Sequence, residues 1–275
     1  MLYLNAEDNP ITWNKKNYLM AAAKRMGIEV RDAKNVSNPE CVLNIQPIGT
    51  FLPGTAWTGL WHIDVCLNSD IPSVYYYLCN TVFVASDQMR TPYDKAQVLF
   101  QACDPVLHKR TIKEPEYDYV VCGLMGGAYN GERERLHRIL AEKFKCLDAG
   151  NGKRPQEYVN ALSQGKVQWV RTANTDGNYE MAAQRFFESL AIGPVLTNWT
   201  KDLPLTGLIE DVDYMAYRTD EEMVTKMYSL TRDPVLRERI ATNGRNKALL
   251  YHSYDQRLAS ILNICREYDP TISPL

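Results

Sequence analysis

Residues 180–199, EMAAQRFFESLAIGPVLTNW, combine a helix pattern, a break and a strand pattern in one short stretch. Phe186, Phe187 and Leu190 are spaced to share one face of a helix. The Gly-Pro pair that follows ends the helix, and the apolar residues after it are typical of a buried strand. A helix that leads directly into a buried strand is a building unit of α/β folds.

The same alternation of short apolar runs and helical patterns occurs along the rest of the chain, and it predicts an α/β fold. Residues 81–86, TVFVAS, form an apolar run at 82–85, as expected of a parallel strand covered on both faces. Further strands are predicted at 1–6 and 117–124, and helices at 131–144 and 253–268.

A linker is predicted at residues 104–118, DPVLHKRTIKEPEYD, which are polar, contain two prolines and lack periodicity. The strand and helix patterns restart after it. We therefore expect two domains, 1–105 and 112–275, with a cleft between them. The terminal helix is expected to pack back on the first domain.

Composition and charge restrict the classes of function. The 275 residues are 45% hydrophobic and 23% charged, and the net charge of −2 gives no global positive field for nucleic acid or acidic membranes. No apolar run is long enough to span a bilayer, and the first ten residues lack the pattern of a secretory leader. Membrane partners are therefore not expected.

The seven cysteines are scattered and form no C-x-x-C pair. This distribution disfavours both a zinc site and a disulfide framework. Buried reduced thiols and a cytoplasmic location are expected.

A glycine-rich turn at residues 122–135, CGLMGGAYNGERER, follows a predicted strand and opens a predicted helix. Gly126 and Gly127 let the backbone approach a ligand, and the helix N-terminus offers free N–H groups to an anion. The spacing matches neither G-x-G-x-x-G nor a Walker motif. The turn therefore predicts contact with a phosphate or nucleotide, and the alternative is a tight turn without a ligand.

Glu180 and Glu188 are separated by about 80° around a helix and about 12 Å along it. This separation is too large for chelation of one ion or for a close acid–base pair, but it suits two parts of an elongated ligand. Because Glu188 lies within the apolar run FFESLAIGPVL, its carboxylate needs a partner or a ligand. The alternative is that both glutamates are solvated.

The stretch from Glu180 resembles the donor-site helix of GT-B fold glycosyltransferases of the group 1 type, in particular the spore-maturation CgeB-like group. Further resemblances follow in the same order along the chain. They are QACDPVLHK at 101–109, GLMGGAYNGERERL at 123–136, QEYVNALSQGKVQWV at 156–170 and RDPVLRERIATNGRNKALLYHSYDQRLASIL at 232–262. The resemblance implies two Rossmann-like domains facing across a cleft, with a shortened N-terminal domain on the acceptor side and a C-terminal donor domain.

The resemblance also implies roles for individual residues. Glu188 would bind the ribose hydroxyls of a nucleotide-sugar donor, and Glu180 the hydroxyls of the donor sugar. The Gly126–Gly127 turn would lie under the diphosphate. The side chains expected to neutralise the leaving diphosphate are those of Arg133, Arg185 and, as a third candidate, Arg171. Tyr129 would stack on the base or cap the phosphate, with simple packing as the alternative, and Asn174 and Asn178 would contact the sugar.

In the first domain, TGLWHIDVC at residues 58–66 groups Trp61, His62 and Asp64 near the expected cleft edge. His62 is the candidate base or acceptor contact, with Asp64 beside it. A structural role for His62 is the alternative.

The resemblance thus implies a hexosyl- or pentosyltransferase that moves a sugar from a nucleotide-diphosphate donor, with UDP-sugar favoured, to an acceptor hydroxyl. The resemblance implies retention of configuration, no metal and no other cofactor. The acceptor is left open among a protein, a glycan and a hydroxymethylated DNA base, as in bacteriophages that glycosylate their DNA. A monomer or a homodimer is expected. The alternatives are a nucleotide-sugar 2-epimerase and a non-catalytic sugar- or nucleotide-binding relative.

Overall fold

The computed structural model describes residues 1–6, 15–34, 36–45, 51–62, 78–87, 96–123, 131–150, 152–171 and 181–271, apart from the side chain of His62. The chain divides into two units. The first contains residues 1–101 together with 254–275, and the second contains residues 102–253.

The first unit is built on a six-stranded parallel sheet with the order β2-β1-β3-β4-β5-β6. Its strands are β1 (Leu2–Asn5), β2 (Val30–Asp32), β3 (Cys41–Ile45), β4 (Trp57–His62), β5 (Thr81–Val84) and β6 (Ala96–Val98). Helix α1 (Lys15–Met26) connects β1 to β2. Strands β3 and β5 are buried along their whole length, as strands covered on both faces are.

Strand β4 was not predicted from the sequence. It lies in the middle of the sheet, with Trp57 and Trp61 fully buried. The indole Nε1 of Trp61 donates a hydrogen bond to the carbonyl oxygen of Leu99 at 3.0 Å. Trp61 therefore belongs to the core rather than to a cleft edge. His62 ends the strand.

The terminal helix α7 (Tyr254–Tyr268) belongs to this first unit and packs against α1. The rings of Tyr18 and Tyr254 stack with centroids 4.7 Å apart. Arg25 forms an ion pair with Asp255 at 2.7 Å. The chain thus returns to its first sheet after it completes the second.

The second unit is built on a five-stranded parallel sheet with the order β11-β10-β9-β7-β8. Its strands are β7 (Tyr117–Val121), β8 (Cys146–Asp148), β9 (Gly165–Val170), β10 (Val195–Asn198) and β11 (Met215–Tyr217). Its helices are α2 (Gly131–Ala141), α3 (Pro155–Ser163), α4 (Gln184–Ile192), α5 (Asp220–Arg232) and α6 (Pro234–Tyr251). None of the helices in the described part of the chain has the length and apolar character needed to cross a bilayer.

Helix α4 and strand β10 form the helix–break–strand unit that residues 180–199 predict. Phe186, Phe187 and Leu190 are fully buried. The segment 104–118, predicted as a linker, lies within the second unit, where its last two residues begin β7, and the division between the units falls just before Ala102.

Helices α4 and α6 approach closely at Gly244. A Cβ atom at this position would lie 2.3 Å from the backbone oxygen of Asp213 and 2.9 Å from Cδ2 of Leu190. The backbone oxygen of Asp213 cannot move aside as the end of a flexible side chain can. The packing of α6 therefore requires a residue without a side chain here.

We expect Gly244→Ala to lower the free energy of unfolding by about 1–3 kcal/mol, because the added methyl overpacks the helix contact. Urea denaturation measures the change. The control is Gly131→Ala in the first turn of α2, where a Cβ meets nothing within 4 Å among the described residues. Equal stability losses in the two variants would contradict the packing argument.

Candidate functional site

The strand order of the second sheet reverses between β7 and β9. β8 lies on one side of β7, while β9, β10 and β11 follow in sequence on the other. In open parallel α/β sheets, ligands bind at such a reversal, at the carboxyl ends of the strands. A pocket lies at this point, where β7 and β9 end. It is lined by Val121, Cys122, Arg133, Tyr158, Leu162, Trp169, Val170, Arg171, Arg185 and Ser189.

Three arginines line the pocket, and the lining residues within the described part of the chain include no carboxylate. Arg133 lies in the first turn of α2 and Arg185 in the first turn of α4. Nη2 of Arg133 donates a hydrogen bond to the backbone oxygen of Arg171 at 3.2 Å. Guanidinium groups beside helix N-termini favour an anion, because both present N–H donors and positive charge.

Gly123, just beyond the end of β7, makes room for Arg185. Its φ of +127° is a conformation that residues with side chains rarely adopt. A Cβ atom at Gly123 would lie 1.9 Å from Nη1 of Arg185. The guanidinium therefore lies directly against the backbone of the turn after β7, and only glycine permits this contact.

Cys122 precedes this glycine and also lines the pocket. Burial raises the pKa of its thiol to about 12, although the nearby Arg185 opposes the shift. The thiol is therefore protonated at neutral pH and does not act as a nucleophile.

Glu188 lies one turn beyond Arg185 on α4, and its side chain is only 5% exposed. The hydroxyl of Tyr158 on α3 donates a hydrogen bond to Oε2 at 3.0 Å. The side-chain amide of Gln184 donates to Oε1. These donors offset the cost of burying the carboxylate.

This environment also changes the pKa of Tyr158. Burial of its hydroxyl, with the Glu188 charge beside it, raises its pKa well above the ordinary value. Tyr158 is therefore protonated and able to donate at all physiological pH values. Its ring also lies at right angles to that of His108, with centroids 6.5 Å apart.

The structure brings Arg133, Arg171 and Arg185 together at one pocket, with Glu188 adjoining them through Tyr158. The sequence argument required a partner for Glu188 but did not identify Tyr158 or Gln184. The four-residue spacing of Gln184 and Glu188 was the available signal. The remaining predicted site residues lie outside the described residues: Asp64, Gly126, Gly127, Tyr129, Asn174, Asn178, Glu180 and the side chain of His62.

Within the described residues, no group of three or more His, Cys, Asp or Glu side chains is placed to hold a metal ion. The D-x-D letters at 211–213 belong to a structural turn. Asp213 is buried, accepts a hydrogen bond from the backbone N–H of Ile209 and pairs with Lys247 at 2.7 Å.

Solved GT-B glycosyltransferases share this arrangement of two parallel α/β sheets. The avilamycin A biosynthesis glycosyltransferase AviGT4 aligns with a TM-score of 0.65 at 11% identity, over 97% of this chain and 97% of that chain. Anabaena HepE, solved in complex with UDP and glucose, aligns with a TM-score of 0.60 at 10% identity, over 95% and 98%. The DNA-modifying β-glucosyltransferase, studied with and without its substrate UDP-glucose, aligns with a TM-score of 0.57 at 12% identity, over 96% and 99%.

Comparison of the sequence with family models shows the family of the protein. A family model described as glycosyl transferase-like matches residues 113–263, and the chain belongs to this family. No curated protein sequence matches the chain. The finer resemblance to the CgeB-like group stays a prediction.

We expect Tyr158→Phe to lower the free energy of unfolding by about 1–3 kcal/mol, because it removes a hydrogen bond from a buried carboxylate. Urea denaturation monitors the change. Tyr228→Phe is the control, since the half-buried Tyr228 ring packs on Phe144 and would keep that contact. Its expected effect is within about 0.5 kcal/mol. A Tyr158 variant as stable as the wild type would show that Glu188 does not depend on this hydroxyl.

Proposed function

We propose that the protein is a glycosyltransferase that moves a sugar from a nucleoside-diphosphate sugar, with UDP-sugar favoured, to an acceptor hydroxyl. The observation that carries the proposal is the pocket at the strand-order reversal, where three arginines converge beside the buried carboxylate of Glu188. The family match and the UDP and UDP-glucose complexes among the structural neighbours support the choice of donor.

In the proposed reaction, the bond between the donor sugar and the diphosphate breaks and negative charge builds on the departing diphosphate. Arg133, Arg171 and Arg185 stabilise that charge, and groups already held in place do so without reorganisation. Because side chains and helix N-termini supply the positive charge, the proposed mechanism is metal-independent.

Glu188 is assigned to the ribose of the donor. A carboxylate accepts hydrogen bonds from both hydroxyls of a diol, and charge-assisted bonds of this kind are strong. A shift of the Gln184 amide would free the lone pairs of Oε1 for the ligand. Glu180 is assigned to the donor sugar, and His62 with Asp64 to the acceptor side. Transfer with retention of configuration completes the proposal, and the acceptor is a protein, a glycan or a hydroxymethylated DNA base.

A donor screen tests the function. Nucleotide release from UDP-, GDP- and dTDP-sugars is measured together with UDP affinity by calorimetry. We expect release and binding with the UDP-sugar. Absence of any binding or release would reject the proposal, and interconversion of the donor sugar without transfer would favour a 2-epimerase.

We expect Glu188→Gln to weaken UDP binding by about 10–100-fold, because loss of charge-assisted hydrogen bonds costs about 1.5–3 kcal/mol. The matched control is Glu142→Gln, at an exposed position after α2, which should bind UDP like the wild type. Equal UDP affinity in the two variants would exclude Glu188 from the ribose site.

We expect Gly123→Ala to weaken UDP binding by at least tenfold, since the added methyl displaces the Arg185 guanidinium from the turn after β7. Gly207→Ala separates this effect from backbone strain. Gly207 also has a positive φ, of +75°, but a Cβ there meets nothing within 4 Å among the described residues. The control should lose stability and keep its UDP affinity. A similar loss of UDP affinity in both variants would show that the Gly123–Arg185 contact does not determine UDP binding.

A further inference from the structure

The turn of residues 104–108 precedes β7 and holds a fully buried histidine. Oδ1 of Asp104 accepts hydrogen bonds from the backbone N–H groups of Val106 and Leu107. The backbone N–H of His108 donates to the carbonyl oxygen of Asp104 at 2.9 Å. These bonds fix the turn and, with it, the position of the imidazole.

The hydrogen bonds of His108 also decide which ring nitrogen carries the proton. Nδ1 accepts a hydrogen bond from the backbone N–H of Asp104 at 2.8 Å. Burial lowers the pKa of His108, although the charges of Glu188 and Asp104 oppose this shift, so the ring is neutral at neutral pH. A neutral imidazole has one N–H, and since Nδ1 is an acceptor here, the proton is on Nε2.

The Nε2–H group faces Glu188, with Nε2 3.6 Å from Oε1. This distance is slightly longer than a hydrogen bond. Polar contacts of this kind are commonly long in a site without its ligand and shorten when the ligand binds. A small movement of the carboxylate toward the imidazole would close the gap.

Donor groups from three segments surround the Glu188 carboxylate. Tyr158 on α3 donates to Oε2, Gln184 on α4 donates to Oε1, and His108 in the turn before β7 faces Oε1. Gln184 is on the same helix as Glu188 and moves with it. Tyr158 and His108 belong to other segments, so they fix the carboxylate relative to the rest of the unit.

We propose that His108 is a positioning residue, whose Nε2–H holds the Glu188 carboxylate in the orientation that binds the ribose diol of the donor. The inference rests on the proposed function, since it concerns the same carboxylate. His108 does not touch the donor and acts through Glu188. His108 is the buried last residue of the turn 104–108, and the hydrogen bonds within this turn fix the orientation of its imidazole.

Two amide substitutions separate this role from a structural one. In His108→Asn the amide reaches the position of Nδ1, so it keeps the bond with Asp104 but presents no donor to Glu188. In His108→Gln the amide reaches the position of Nε2, so it keeps a donor for Glu188. UDP affinity is measured by calorimetry, and thermal unfolding is measured in parallel.

We expect His108→Asn to weaken UDP binding by about tenfold and His108→Gln by less than about threefold, in line with loss or retention of one hydrogen bond to a charged group. In a Glu188→Gln background, His108→Asn should cause little further loss of affinity, because coupled residues are not additive.

The opposite order, with Asn close to the wild type and Gln impaired, would show that His108 only stabilises the turn and would overturn the inference while leaving the proposed function intact. Additive losses in the double variant would overturn it equally. A wild-type protein that binds no UDP would reject the proposed function and this inference together.

Discussion

The reversal of strand order between β7 and β9 is the constraint on which the second unit depends. Right-handed crossovers place the connecting helices on opposite faces of the sheet on the two sides of a reversal. Helices α2 and α4, which follow β7 and β9 in the chain, therefore lie on opposite faces of the sheet, and the pocket lies where the two strands end. Cys122, just beyond the end of β7, and Arg171, just beyond the end of β9, both line this pocket. The pocket is thus a consequence of topology before any side chain is considered.

Helix α4 carries two opposite charges, Arg185 in the lining of the pocket and Glu188 beside it, and each is held differently. Arg185 rests against backbone, because Gly123 leaves no side chain in its way. Glu188 is buried one turn further on and is held by donors from α3 and from its own helix. A buried carboxylate without such donors would be strongly destabilising, so the positions of Tyr158 and Gln184 follow from the presence of Glu188.

The sequence allowed the α/β class, the strands within 1–6, 81–86 and 117–124 and the α4–β10 unit to be predicted, because continuous apolar runs and helical spacing are local signals. Strand β4 was missed, since Thr58, Gly59 and His62 interrupt its apolar residues, while β5 is nearly continuous. The burial of Glu188 was also a local signal. Of its partners, Gln184 lies four residues away on the same helix and was within reach of the same local reasoning, whereas Tyr158 lies thirty residues away in the chain and only the fold brings it to Glu188.

The order of chemical groups along α4 matches the order of groups in the proposed donor. A nucleoside-diphosphate sugar carries its ribose diol next to its anionic diphosphate. Arg185 and Glu188 are three residues apart, which places them on one face of the helix and about 4.5 Å apart along its axis. In the proposed complex, a diphosphate bound by Arg185 therefore leaves the attached ribose within reach of Glu188. Exchanging the two charges on α4 would place the carboxylate against the diphosphate, so in this proposal the order of the two charges contributes to specificity together with their identity.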